Sequence, residues 1–121
     1  MNDVEVIFDK NAYLEYKKLQ LFVNSQKKSK TQPSYKQLLD SVNHAITNIQ
    51  INHNYGDLIP KKYISISTKT KYNTDKVYRV PLVGYWRLLY TIVGDDAKII
   101  AFILEFMDHK KYNKVFGYKD K

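Results

Sequence analysis

Apolar residues recur with period two at Val4, Val6 and Phe8, which predicts a short strand over 4–8. Asp9 or Asn11 is placed to cap a helix after it. The period then changes: Ala12, Tyr16, Leu19 and Val23 recur at helical spacing, with Lys17, Lys18 and Gln20 between them. Residues 25–32 are polar, basic and unpatterned, and read as a solvated turn between helices. A second helix starts near Ser34, where Ser34 and Gln37 form an S-x-x-Q capping box just after Pro33. Its apolar stripe is Tyr35, Leu38, Leu39, Val42, Ala45, Ile46 and Ile49. His44 lies beside that stripe and reads as a surface residue. Residues 52–60 are a connection with Gly56 as its turn, 61–66 form a short turn or an edge segment, and 68–75 are polar and exposed.

From residue 76 onward the pattern is that of strands, over 76–83, 85–93 and 98–107. Gly94-Asp95-Asp96-Ala97 suits a tight hairpin turn with Asp95-Asp96 at its tip. Alternation in the second of these strands puts Trp86, Leu88, Tyr90 and Ile92 on one face and Tyr85, Arg87, Leu89, Thr91 and Val93 on the other. The first set is the better match for a layer of helices, so Arg87 points away from it. Trp86 reads as core. The third strand is apolar on both faces except for Glu105, the obvious acidic partner for Arg87. A two-residue turn at Asp95-Asp96 sets Arg87 opposite Leu104 and Glu105 on the other face; a shift of one residue reverses this. The order of elements is strand, helix, helix and antiparallel meander. The expected fold class is α+β, with the N-terminal strand and two helices packed on one face of a small antiparallel sheet.

The chain's 121 residues suggest a single domain over 1–121. Twenty basic residues against 12 acidic give a net charge of +8, which attracts polyanions, nucleic acid first. Eleven tyrosines offer aromatic faces among the cations, although most tyrosines belong to the core or its boundary. With no cysteine, thiol chemistry and disulfides are excluded. The acidic start lacks the basic-then-apolar order of a secretory signal, and the aliphatic run 99–104 falls far short of the roughly 20 residues that cross a bilayer. The expectation is a soluble, cytoplasmic protein without a membrane partner.

A charged residue inside an apolar strand needs either a carboxylate or a ligand, because an unpaired buried charge is costly. Arg87 is therefore a candidate to hold a phosphate through its planar fork, or else to pair with Glu105 or Asp108. The segment Asp108-His109-Lys110-Lys111-Tyr112-Asn113-Lys114 is dense in groups that bind phosphate or move protons. His109 suits an acid or base near neutral pH, or the closing of a strand end. Lys110 and Lys111 are candidates for transition-state charge or RNA contact, or else a solvated pair. His44, His53 and His109 have no metal-ligand spacing, and no glycine-rich phosphate loop or nucleophile elbow is present, so no metal and no cofactor is expected.

Gly84-Tyr85-Trp86-Arg87-Leu88-Leu89-Tyr90, the apolar run 99–104 and Asp108-His109-Lys110-Lys111-Tyr112 together resemble the RelE/ParE superfamily of toxins from type II toxin–antitoxin pairs. Gly56-Asp57-Leu58-Ile59-Pro60 and the ending 112–118 look like a less characterised branch of it. For the RelE-type members the resemblance implies a metal-independent endoribonuclease that cuts mRNA, usually at the ribosome, and inhibits translation, with a cognate antitoxin protein as partner. The catalytic set it implies here is Arg87, His109, Lys110 and Lys111. The RNA-binding set is Lys76, Arg79, Tyr112, Lys114 and Tyr118, with Phe116 a further candidate for the family's C-terminal aromatic position. Pro81 stands where active members often have lysine. ParE-type members share the fold, bind DNA gyrase and cut no RNA, so a ParE-like toxin or an inactive toxin-fold binding protein is the alternative.

Overall fold

The computed structural model describes residues 4–28, 33–64, 66, 69–70, 74, 76–95 and 98–107, with 85, 94–95 and 98–107 described by their backbone. A first strand, β1 (Val4–Phe8), leads into helix α1 (Lys10–Asn24) and then α2 (Tyr35–Ile51). Asp9 is the α1 cap, its carboxylate accepting from the Asn11 N–H at 3.2 Å. The capping box at α2 is closed in both directions: the Gln37 N–H donates to Ser34 Oγ at 3.1 Å, and the Ser34 N–H donates to Gln37 Oε1 at 2.9 Å. Such a cap typically contributes about 1 kcal/mol, because it satisfies backbone donors that the first helical turn leaves open. Leu38, Val42, Ala45 and Ile49, four residues of the α2 stripe, are buried.

The remaining strands are β2 (Asp57–Leu58), β3 (Tyr78–Pro81), β4 (Arg87–Asp95) and β5 (Lys98–Met107). They form a sheet in the order β1-β5-β4-β3-β2. The pairs β2–β3, β3–β4 and β4–β5 are antiparallel, whereas β1 joins β5 in parallel. The sheet is thus mixed, where the order of elements predicted a purely antiparallel one. The reason is topological: the two helices carry the chain across the sheet before the meander starts, so β1 meets the last strand running in its own direction. The coarser expectation, an α+β fold with an antiparallel meander and two helices, is what the structure shows.

Val4, Val6, Phe8, Tyr78, Val80, Trp86, Leu88, Tyr90 and Ile92 pack with the buried faces of α1 and α2 in one cluster. Alternation along β4 therefore holds as read. The opposite face is not bare. Leu89 and Thr91 are buried there, and Ile59 and Val77, which alternate in phase with Asp57 and Arg79, are buried too. Thr91 Oγ1 donates to the Lys76 carbonyl at 2.8 Å and lies 3.1 Å from Thr74 Oγ1. Thr74 and the Lys76 carbonyl thus lie against this second face, and a buried hydroxyl is satisfied by backbone outside the strands, as burial requires.

Two details of register differ from the expected hairpin. Pairing continues to Asp95 opposite Lys98, so the ladder ends one residue later than a tip at Asp95-Asp96 allows. A bulge then separates Leu89, opposite Glu105, from Tyr90, opposite Ile103, leaving Leu104 as the extra residue. Arg87 stands opposite Met107 instead of Leu104. Residues 61–66 begin with a 3-10 turn, Lys61–Tyr63.

Candidate functional site on the second sheet face

β3 and β4 are joined by the tight segment 82–86. The Leu82 N–H donates to the Trp86 carbonyl at 2.8 Å, and the Trp86 N–H donates to the Val83 carbonyl at 3.3 Å. Gly84 sits at φ 63°, in the left-handed region that glycine enters without steric cost. A side chain there meets a second obstacle, since a Cβ on Gly84 would lie 2.5 Å from Pro33 Cδ. The turn is thereby seated on the residue that precedes the α2 cap, and Arg87 is the first residue of β4 after it.

Arg87 is half-buried, and its Nη1 donates to the Trp86 carbonyl at 3.1 Å. That carbonyl accepts from the turn and from the guanidinium together, which anchors one arm of the fork. Arg79 on β3 pairs in register with Leu89, and Pro81 pairs with Arg87. Arg79 and Arg87 are therefore diagonal neighbours on adjacent strands, on the face turned away from the helices, where such positions are separated by roughly 7–8 Å. One row of register partners runs across four strands as Asp57, Arg79, Leu89 and Glu105. Asp57 stands directly opposite Arg79, and Glu105 holds a position in phase with Arg87. The register left open by the sequence is settled with the acidic positions beside the arginines. The bulge at Leu104 keeps Glu105 in that phase.

Lys76 is exposed at the entry to β3, out of phase with Arg79. Its carbonyl, not its ammonium, is what the fold employs. Pro81 is exposed, and no side chain in its place beside Arg87 carries a second cation. Trp86 packs on the helix side, as core. His44 is exposed. His109, Lys110, Lys111, Tyr112, Lys114, Phe116 and Tyr118 lie outside the described residues, as does Asp108. No group of three or more His, Asp or Glu side chains placed to hold a metal occurs among the described residues. No helix among them is long and apolar enough to cross a membrane.

The edge of the sheet beside this face is held by a contact that sequence reading missed. Tyr90 is fully buried, its hydroxyl donating to the His53 carbonyl at 2.9 Å and accepting from the Gly56 N–H at 2.8 Å. Its ring stacks on Tyr78 with centroids 4.9 Å apart. Burial pushes the phenol up to about 12; the Gly56 N–H pulls the other way, and the neighbouring Tyr78, Asp57 and Tyr55 add to the rise. Gly56 is required here for close approach: a Cβ would lie 2.9 Å from the Arg79 carbonyl and from the Tyr90 ring. Tyr90 thus clamps 53–56 and sets Asp57 beside Arg79. The local signal was weak, because a two-residue strand has no alternation to read.

No family model, curated protein or solved structure matches the chain.

Proposed function

We propose that the second sheet face, centred on Arg79 and Arg87, binds the phosphate backbone of RNA, and that the protein is a RelE-like mRNA endoribonuclease toxin neutralised by an antitoxin. The observation that carries this reading is the pairing of two arginines as diagonal neighbours on one face, away from the helices. Two guanidinium groups at that separation suit adjacent oxygens or adjacent phosphates of a polyanion, and Arg is the side chain whose fork matches them. The net charge of +8 draws such a ligand in. In this mechanism Arg87 stabilises the negative charge that builds on the non-bridging phosphate oxygens as the 2′-oxygen bonds to phosphorus and the bond to the 5′-oxygen breaks, and His109, Lys110 and Lys111 take the proton from the 2′-hydroxyl, give one to the leaving 5′-oxygen and add further positive charge.

A second reading has one observation in its favour. Pro81, with neither charge nor N–H, is the register partner of Arg87. That leaves the arginine face short of the lysine the resemblance leads one to expect, and favours a ParE-like toxin that binds a protein target such as DNA gyrase.

The two are separated by mapping mRNA cleavage by primer extension in a translating extract, with wild type, Arg87→Ala and Arg87→Lys. The ribonuclease reading expects discrete cuts by wild type and a loss of at least a hundredfold in Arg87→Ala, with Arg87→Lys intermediate and all three equally folded by circular dichroism. Folded wild type that makes no cuts, yet inhibits gyrase supercoiling, establishes the second reading.

A further inference from the structure

The loop before β2 is exposed, yet its backbone is held at successive residues. The Asn54 N–H donates to Asn52 Oδ1 at 3.0 Å, the Tyr55 N–H to the Asn52 carbonyl at 2.9 Å, and the Gly56 N–H to the Tyr90 hydroxyl at 2.8 Å. What this fixed backbone presents to solvent is an aromatic ring and a carboxylate: Tyr55 is 44% exposed, and Asp57 is exposed. Both groups add to the rise of the Tyr90 phenol, so both lie near one hydroxyl. β2 ends the sheet, and Asp57 stands directly opposite Arg79. A carboxylate beside the arginine pair repels phosphate and weakens the hold on a polyanion in general. It strengthens binding only where the ligand offers it hydrogen-bond donors.

We propose that Tyr55 and Asp57 form a guanine-binding subsite for the RNA strand whose phosphates the arginines hold, an inference that rests on the arginine face binding RNA. An ionised carboxylate only accepts hydrogen bonds, and it does so through two oxygens. Among the RNA bases, guanine alone sets two adjacent donors, N1–H and N2–H, on its Watson–Crick edge. Adenine and cytosine set one donor beside an acceptor, and uracil sets its donor between two acceptors. Single-stranded bases are read in this way, turned out from the backbone, stacked on an aromatic ring and bonded along that edge. The side-chain lengths suit it. Arginine is long and aspartate short, so a phosphate held by Arg79 stands above the sheet while Asp57 lies low at its border. A base turned outward from that phosphate descends the step between them. The loop's amides are already bonded, so little freedom is lost when the base arrives.

The test is fluorescence anisotropy with short labelled 2′-O-methyl RNAs, which lack the attacking hydroxyl and stay uncut. The strands are all uridine, or uridine with one central guanosine, inosine or adenosine. Wild type is expected to bind the guanosine strand at least tenfold more tightly than the uridine strand, the order of one bidentate pair. Inosine, which lacks the N2 amine, and adenosine fall close to uridine. In Asp57→Asn the guanosine strand binds more weakly and the uridine strand more tightly, so the preference is lost. Tyr55→Ala weakens the guanosine strand at least fivefold by removing the stacking ring. Arg79→Ala/Arg87→Ala weakens every strand, and all variants match wild type by circular dichroism. Arginine-dependent binding without a guanosine preference overturns the subsite and leaves the arginine face standing. All strands strengthened alike in Asp57→Asn make the carboxylate a mere counter-charge to Arg79 and overturn the subsite too. Strands that do not bind, or that bind regardless of the arginines, overturn both.

Discussion

At the scale of single residues, Tyr90 ties the loop before β2 to β4. Its hydroxyl satisfies one backbone donor and one backbone acceptor from a loop that otherwise has no ladder to join. Tyr90→Phe removes both bonds and leaves the Gly56 N–H and the His53 carbonyl without that partner, a loss of roughly 1–3 kcal/mol. Urea unfolding at neutral pH measures it; no change in midpoint counts against the clamp. The same residue makes a pH prediction. Below pH 10 the phenol is protonated in folded and unfolded chains alike. Between 10 and about 12 the unfolded chain gives up a proton that the folded chain keeps, so stability falls across that window. Phenolate absorbance should show a step near 12 that is lost in Tyr90→Phe.

At the scale of elements, the helices were legible because their signals are local. Capping chemistry and the 3.6-residue stripe need no partner to be read, and Ser34–Gln37 with Leu38, Val42, Ala45 and Ile49 formed as the spacing predicts. The β3–β4 junction was legible only in part. Gly84 was visible in the sequence, but its contact with Pro33 joins residues 51 positions apart. Gly84→Ala is expected to cost roughly 1–2 kcal/mol for the left-handed backbone alone, with the clash added to that. A double-mutant cycle with Pro33→Ala separates the two, because the proline substitution relieves the clash and leaves the backbone term. A cycle with no coupling between the positions refutes the contact.

At the scale of the whole molecule, the sheet separates a helix side from an opposite face. The helix side holds the main core; the other side holds Arg79, Arg87 and the acidic positions Asp57 and Glu105. If the arginines bind RNA phosphates, affinity falls with salt by a slope of about 0.7 per phosphate contact on a single strand. Arg79→Ala/Arg87→Ala should then lower the slope by roughly 1–1.5, read from fluorescence anisotropy of a labelled RNA across salt concentrations. An unchanged slope moves RNA binding off this face.

The pattern of apolar positions by itself determined the two helices with their caps, the strands of the meander and the outward phase of Arg87 on β4. Each depends on interactions within about one turn or one alternation of the chain. Only the tertiary structure decided the parallel docking of β1 on β5, the bulge at Leu104, the register that sets Glu105 in phase with Arg87, and the pairing of Asp57 with Arg79. These depend on which distant backbones meet, and a shift of one residue exchanges the faces of a whole strand at little local cost. The arginine pair belongs to both: its charges are written in the sequence, and its adjacency exists only once the 82–86 turn brings β3 and β4 together.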